Sequence, residues 1–590
     1  MKIAQRFLQY FLAFFLLAGC VSSPAAETAT GQAATLPPAS TVTLSPTQTL
    51  TVLPTATPPP TPTHPPLPTI PPVQPVIGLP QGTDNYPWWN DTVFYEIFVR
   101  SFYDSNNDGI GDFNGLTAKL DYLNDGDPNT TTDLGVTGLW LMPINPSPSY
   151  HGYDVSDYYA VNPQYGTMDD FKHLLAEAHK RGIRIVIDWV LNHTSARNSW
   201  FQQAQDPASP YRQWYRWSAD RPTTPGWYPG GGNEYYYAFF DVGMPDLNYR
   251  NPKVVAEMKN VAKFWLKDVG VDGFRLDAVK YIVEDGSTVQ NTPETHAWYK
   301  KLRTFYEGVN PQALTVGEVW DNSEVVNTYL AGDELDLAFD FDLARNLVFT
   351  AGSHRAKDMT DVLNHDLQLF RPGQFATFLT NHDQDRVMSV LNDDLDAAKN
   401  AAMLLLTSPG VPFLYYGEEI GMLGKKPDEN IRLPMQWSGD ANGGFTTGTP
   451  WRAPNVDYTT KNVVAQSSDA NSLLSLYRTL IGLRSSHAAL RVGDFYLIDS
   501  GNRAVSASLR VSREETVLVI VNLGSEPVSN YVLKLDQGPL SASYSVASLL
   551  GEGEFSAPQI TDKGGFNNYQ PLPELPPYGK FILQLQEKKK

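Results

Sequence analysis

Arg275 and Asp277 stand two residues apart in the run Gly273-Phe274-Arg275-Leu276-Asp277-Ala278-Val279-Lys280. The run reads as a strand that ends in polar residues. Side chains alternate faces along a strand, so Phe274 and Leu276 point one way and Arg275 and Asp277 the other. An arginine beside a carboxylate favours its ionised form. A fixed, ionised aspartate at a strand end is a candidate nucleophile. Taken alone, the pair reads better as a structural ion pair, and the nucleophile needs partners. Candidates recur along the chain at Asn192-His193, at Glu318 and at Asn381-His382-Asp383.

The elements that must position these residues are strand-like runs at 93–99, 138–143, 183–189, 273–277, 314–319, 335–341, 375–380 and 412–416. Several are nearly all apolar, as strands buried on both faces should be. Helical patterns fall between them, at 168–181, 254–268 and 397–407. Eight alternating units predict an α/β fold, a (β/α)8 TIM barrel. An open doubly wound sheet is the rival, but no glycine-rich phosphate loop follows the first strand. Each polar cluster falls just after a strand, and barrel enzymes gather their chemistry at that end of the strands. About 55 residues rich in Trp, Tyr, Gly and Pro separate His193 from Asn248, far beyond an ordinary connection. They predict a small inserted domain, 194–248, forming one wall of a cleft. From about 496 the runs 504–511, 515–521 and 529–535 alternate like strands of a C-terminal antiparallel β-sandwich reaching 590. The barrel then comprises 85–193 and 249–495.

Aromatic residues make up 12% of the 590 residues, with 13 Trp and 30 Tyr. Such content suits stacking on flat apolar faces, sugar rings among them. The net charge of −19 argues against nucleic acid and against an anionic membrane surface as partners. The one cysteine is Cys20, which excludes an internal disulfide and a cysteine metal cluster. Lys2 and Arg6 precede an apolar run, 7–18, too short to span a bilayer and laid out like a signal peptide (1–20). Its end, Leu17-Ala18-Gly19-Cys20, resembles a bacterial lipobox, with Cys20 lipidated. Ordinary cleavage leaving a free cysteine is the alternative. Residues 21–84, mostly Pro, Thr, Ser and Ala, read as an extended linker. Together these predict a lipid-anchored protein on the outer face of a bacterial membrane.

Four segments taken jointly resemble the signature regions of the α-amylase family of glycoside hydrolases (family 13). They are Asp188-Trp-Val-Leu-Asn-His193, Gly273 to Lys280, Gly317-Glu-Val-Trp320 and Phe378-Leu-Thr-Asn-His-Asp383. They fall in the family's order on the third, fourth, fifth and seventh strands, and 135–143 and 410–419 resemble its flanking signatures. The resemblance implies Asp277 as nucleophile, Glu318 as general acid/base and Asp383 as transition-state stabiliser. It implies sugar contacts from Arg275, His193, His382 and Lys280, with Tyr153 of His151-Gly-Tyr-Asp-Val as the stacking platform. The chemistry agrees, since retaining glycosidic cleavage needs one protonated and one ionised carboxyl group about 5 Å apart. Glu318 follows an apolar strand and neighbours Trp320, where desolvation would raise its pKa. The histidine–carboxylate proximity also admits a metal site, but no H-x-x-x-H pair is present.

Ala278, after the nucleophile, is associated in the family with α-1,4 bonds. Met244-Pro-Asp-Leu-Asn248 resembles a group intermediate between oligo-1,6-glucosidases and neopullulanases. Asp154 and Arg432 of Arg432-Leu-Pro-Met-Gln-Trp437 resemble features of exo-acting α-glucosidases and trehalose synthases, where an Asp–Arg pair would close the cleft on a chain end. The expected function is hydrolysis of α-1,4 bonds in starch or maltooligosaccharides by a monomer. An exo-glucosidase, an isomerising trehalose-synthase-like enzyme and a non-catalytic glucan-binding protein are the alternatives. Finally, Asp104-Ser-Asn-Asn-Asp-Gly-Ile-Gly-Asp112 places oxygen ligands at Asp104, Asn106, Asp108 and Asp112, with the Ile110 carbonyl between. That is the front half of a Ca²⁺ loop, and the bidentate acid of an EF-hand is missing because Gly115 stands in its place. Relatives in the family carry the same loop as a structural calcium site. An Asx-rich turn is the alternative.

Overall fold

The computed structural model describes residues 78–588 apart from Ala542. The signal segment, Cys20 and nearly all of the linker lie outside these residues. Among the described residues no helix is long and apolar enough to cross a membrane.

Eight parallel strands close into a barrel: β1 (Phe94–Ile97), β2 (Gly138–Leu141), β3 (Arg184–Trp189), β4 (Gly273–Leu276), β5 (Leu314–Gly317), β6 (Leu337–Phe339), β7 (Phe375–Thr377) and β8 (Val411–Tyr415). Neighbours in sequence pair throughout, and Phe94 opposite Phe413 closes the ring between β1 and β8. Each coincides with an expected run; the first seven are shorter at one end or both, and β8 is shifted one residue toward the N-terminus. At β6 the reason is local. Asp340 leaves the strand to cap the next helix, its carboxylate accepting from the Leu343 N–H. The barrel interior is filled by Phe94, Trp140, Val186, Val316, Phe339 and Phe413, with Phe94 and Phe413 stacked 4.4 Å apart. This packed layer is the floor on which the polar residues stand. Gly138 makes room for it, because a Cβ there would lie 2.6 Å from the Phe94 ring.

The helices that deliver the catalytic strands have legible ends. Helix α1 (Met168–Lys180) opens with a capping box between Thr167 and Asp170, which satisfies two otherwise orphaned backbone N–H groups. Helix α2 (Pro252–Lys263) has Asn251 as its cap and Pro252 in its first turn, where proline costs nothing. It continues as a π-helical turn, Phe264–Val269, and stops at Gly270 with φ 97°. The left-handed glycine sends the chain through Val271-Asp272 into β4.

Residues 194–248 form a lobe outside the barrel with a three-stranded sheet of Trp217–Ser218, Trp227–Pro229 and Tyr235–Tyr237. Phe201, Trp217 and Tyr236 pack its centre. A bridge from His193 to Asp246 stitches the lobe to the chain after β3, and one from Tyr215 to Leu247 lies within the lobe. At the C-terminus, Asp494–Leu497, Val505–Val511, Thr516–Asn522, Lys580–Glu587 and Tyr544–Leu550 form one antiparallel sheet in that spatial order. Leu533–Leu535 and Phe566–Tyr569 pair in a second. A separate apolar core, including Leu509, Leu518, Leu533, Phe566 and Leu583, fills these sheets.

The chain packs on the barrel a few residues before the expected end of the linker. Arg184, the first residue of β3, donates to the Pro80 carbonyl at 3.0 Å, and Thr83 donates to Asp91 at 2.9 Å.

Candidate active site

Arg275 is the hub. It points inward from β4, is 1% exposed, and uses both terminal nitrogens. Nη1 donates to both oxygens of Asp188, at 2.9 and 3.0 Å, and to Asp277 Oδ1 at 2.8 Å. Nη2 donates to Glu318 Oε2 at 2.7 Å. Asp188 from β3, Asp277 just past β4 and Glu318 just past β5 are thus gathered by one planar cation. The Trp140 ring lies under that cation, 5.1 Å from the guanidinium carbon, and its Nε1 donates to Asp188 at 3.3 Å.

The backbone shares in this. Ala278 adopts the left-handed conformation (φ 50°, ψ 41°), uncommon for a residue with a Cβ and found where a site demands it. The turn directs the Ala278 N–H to Glu318 Oε2 at 3.3 Å.

On the other side, Asp383 follows β7 and is held by Arg432 Nη2 at 2.8 Å and by His382 Nε2 at 3.2 Å. His382 Nδ1 donates to Glu96 of β1 at 2.5 Å. The Tyr153 hydroxyl lies 2.6 Å from His382 Nε2 and donates to Asp188 at 3.0 Å. Tyr153 therefore links the Asp383 half of the site to the Arg275 half, with its ring at the cleft and its hydroxyl fixed below.

The electrostatics separate the carboxyls. Burial pushes Asp277 up to about 6, opposed by Arg275 and reinforced by Asp188 and Asp383. Arg275 favours the ionised form, as expected, but desolvation outweighs the adjacent cation. Burial also raises Glu318, again against Arg275 and with help from Asp277 and Asp383. Trp320 itself is 46% exposed and stacks on Phe341 at 4.8 Å. In Asp383 the cost of burial is overcome by His382, Arg432 and Arg275, which hold it well below the usual range. For His382, burial is overcome by Asp383 and Glu96, which raise it to about 9. His382 is therefore a cation at neutral pH. Burial lowers His193 to about 4, leaving it neutral.

The residues expected to contact sugar are held by the protein in different ways. His193 and His382 are 2% and 0% exposed, and each is fixed by hydrogen bonds to its neighbours. His193 Nε2 donates to the Tyr153 carbonyl at 3.1 Å and steadies the platform. Lys280 is buried, and its ammonium donates to the Trp320 carbonyl at 2.7 Å and to Asp321 at 3.0 Å. It braces the loop after β5. Arg432 does not pair with Asp154. Its bonds go to Asp383, to Asp428 at 3.0 Å and to the His382 carbonyl at 2.9 Å. Asp154 accepts from Ser147 and Ser149 instead. Asn192 donates its amide to the Tyr281 carbonyl at 2.6 Å and to Asp246 at 3.3 Å.

Glu96, Asp188 and Trp140 were not singled out from sequence. Alternation could have found Glu96, which shares the inward face of β1 with Phe94, and an acid on such a face needs a partner. Trp320 and Phe240, 46% and 44% exposed, are further aromatic surfaces here. Phe240 packs on His193 and on Tyr281.

In the loop after β1, Asp104 accepts from the backbone N–H groups of Asn106, Asn107 and Gly109, and Asp112 accepts from Ser105 and Gly115. Asn106 and Asp108 each accept from the residue two positions on. Every prospective ligand is an oxygen, which fits calcium in kind. Among the described residues no three acidic, histidine or cysteine side chains gather as a metal-binding group, so the fit rests on Asn106 and the Ile110 carbonyl as well as the acids.

The family model described as alpha amylase, catalytic domain, matches residues 96–493. "Alpha-amylase 3" of Dictyoglomus thermophilum is 41% identical over 450 residues, covering 74% of this chain and 86% of that protein. A "Trehalose synthase/amylase" of Mycolicibacterium smegmatis is 36% identical over 582 residues, covering 86% and 94%. Among solved structures, the alpha-amylase from H. orenii superposes with a TM-score of 0.73 at 39% identity, covering 84% of this chain and 99% of that one. With its barrel, its carboxyl groups around Arg275 and these relatives, the chain belongs to the α-amylase family of glycoside hydrolases.

Proposed function

We propose that this enzyme hydrolyses α-1,4-glucosidic bonds of starch and maltooligosaccharides with retention of configuration. The observation that carries the reading is the bridging of Asp277 and Glu318 by Arg275. Two carboxyls on one guanidinium suit the spacing of retaining enzymes, about 5–5.5 Å, rather than the wider gap that admits a water between them. Glu318, its pKa raised, protonates the glycosidic oxygen as the bond to C1 breaks. Asp277 attacks C1 from the opposite face and forms a glycosyl ester. Glu318, now a carboxylate, removes a proton from water, which attacks C1 and frees Asp277. Asp383, held anionic, faces the positive charge that develops on the ring. The two relatives named alpha-amylase favour the α-1,4 bond. Asp277→Asn tests the mechanism. It should lower turnover of maltooligosaccharides by at least about 10⁴-fold while their affinity is kept, and near-wild-type turnover would refute the assignment.

A second reading, conversion of maltose to trehalose, is favoured by the trehalose synthase/amylase relative. Trehalose formed from maltose with little free glucose would select it. Two further proposals complete the reading. A structural calcium ion is held by Asp104, Asn106, Asp108, the Ile110 carbonyl and Asp112. Lipidation at Cys20 anchors the enzyme outside the cell, a proposal supported by Leu17-Ala18-Gly19-Cys20.

A further inference from the structure

We propose that a groove on the outer side of the loop after β2 is a second ligand site, which takes a phosphate group, free or carried on a sugar as a phosphomonoester. The groove has a volume of about 500 Å³, and Arg100, Tyr150, Ser156, Gln164 and Arg197 are among the residues that line it. Arg100 follows β1, Tyr150 and Ser156 belong to the loop after β2, Gln164 precedes α1, and Arg197 opens the lobe. Backbone bonds hold these walls in place. The Ser156 N–H donates to the Pro146 carbonyl at 2.8 Å, the Asn162 N–H to the Ile144 carbonyl at 2.7 Å, and the Ser195 N–H to the Val155 carbonyl at 2.8 Å.

Arg100 lacks a counter-ion. It is 6% exposed, its Nη2 donates to the neutral amide oxygen of Gln164, and its Nε has no hydrogen-bond partner. Every other buried arginine meets a carboxylate or at least two backbone carbonyls, as Arg184 meets Asp272 and Arg386 the carbonyls of Ile431 and Tyr416. A buried charge is costly unless it is paired, and among the described residues no carboxylate pairs with this one. Arg197, exposed at the same groove, also has a guanidinium without a hydrogen bond or ion pair among the described residues. The acids of the β2 loop are engaged elsewhere. Asp154 accepts from Ser147 and Ser149, and Asp157 accepts from the Tyr159 N–H. Two unpaired cations thus share one groove on a chain of net charge −19. They match the charge of a phosphate at neutral pH, about −1.5 to −2, better than the single charge of a carboxylate. The groove is of small-molecule size, with room beside a phosphate for a sugar. Tyr150, stacked on Trp451 at 5.5 Å, supplies an aromatic ring for that sugar.

The test is calorimetric titration of the full chain with glucose 6-phosphate and with inorganic phosphate at constant ionic strength, and with glucose as competitor. Wild type should bind a phosphate ligand saturably, and glucose should not displace it. Arg197→Ala should weaken binding by about tenfold, roughly the effect of one charge-assisted bond. Gln164→Glu gives Arg100 a carboxylate of its own. It should weaken binding by about tenfold or more while the melting temperature holds or rises, which loss of a merely structural contact would not do. Both variants should turn over maltooligosaccharides as wild type does in the absence of phosphate. Both changes are at exposed positions, so the test does not depend on replacing the buried arginine. Tighter binding of glucose 6-phosphate than of phosphate assigns the site to a sugar phosphate, and equal binding assigns it to free phosphate. Absence of saturable binding of either by wild type overturns the proposal. So does equal affinity in wild type and both variants, which would place the ligand elsewhere, or displacement by glucose.

Discussion

Burial, more than the neighbouring arginine, shifts Asp277 and Glu318, whereas Asp383 is held ionised by the cations around it. The nucleophile must lose its proton and the acid must keep one, so kcat/KM should rise as pH passes through about 6, where Asp277 ionises. It should fall again as Glu318 loses its proton at higher pH. A rate profile flat between pH 4 and 6 would show Arg275 holding Asp277 ionised after all. Asp188→Asn should lower kcat about 10²-fold, because Arg275 Nη1 loses one of its two carboxylate acceptors and the charge that aims it at both carboxyls. It should also move the acid limb to lower pH, since Asp188 is one of the charges that raise Asp277. The three reacting carboxyls were legible because strand ends and signature segments mark them. The partners of Asp154, Arg432 and Lys280 were not, because a charge chooses its partner among groups brought near only by the fold. Glu96 was hidden for a different reason: one acid inside an apolar strand looks like part of the core until the opposite wall supplies His382.

At the scale of elements, the strands were legible because parallel strands buried on both faces leave unbroken apolar runs. Their ends were less so, since caps such as Asp340 decide them. The join between barrel and C-terminal sheets had no signature at all. Helix α3 (Leu395–Thr407) ends against two buried arginines. Arg484 donates to the carbonyls of Leu406, Ser408 and Gly410 at 2.9, 3.1 and 2.6 Å. Arg510, from the strand Val505–Val511, donates to the Thr407 carbonyl at 2.9 Å. Cations suit a helix C-terminus, where several carbonyls lack intrahelical partners. Arg484→Met should cost roughly 3 kcal/mol by leaving these carbonyls unpaired in the interior. Denaturant unfolding measures this, and a loss under about 1 kcal/mol would show that water replaces the arginine.

In the whole molecule, the loop 104–112 joins the first and last βα connections. The Asp104 N–H donates to the Phe445 carbonyl at 3.1 Å, and the Trp451 N–H donates to the Gly109 carbonyl at 2.9 Å. A calcium ion in this loop would clamp the ring at its closing seam. Adding EGTA should then lower the melting temperature, and millimolar calcium should restore it. A melting temperature indifferent to both would remove calcium from the account. The spacing of oxygens along the loop was visible in sequence, whereas its docking on 445–451, more than 300 residues away, was not.

The polar cluster around Arg275 stands at one end of the strands, and the contact between Pro80 and Arg184 stands at the other, where β3 begins. The chain therefore enters the body at the closed end of the barrel. Coupled to a bead through its N-terminus, the enzyme should present its open end to the solution and keep its activity on soluble starch as fully as on short oligosaccharides. Coupling through surface lysines, which does not choose a face, should depress the starch activity more than the oligosaccharide activity. Equal losses by both routes would show that the point of entry does not govern access.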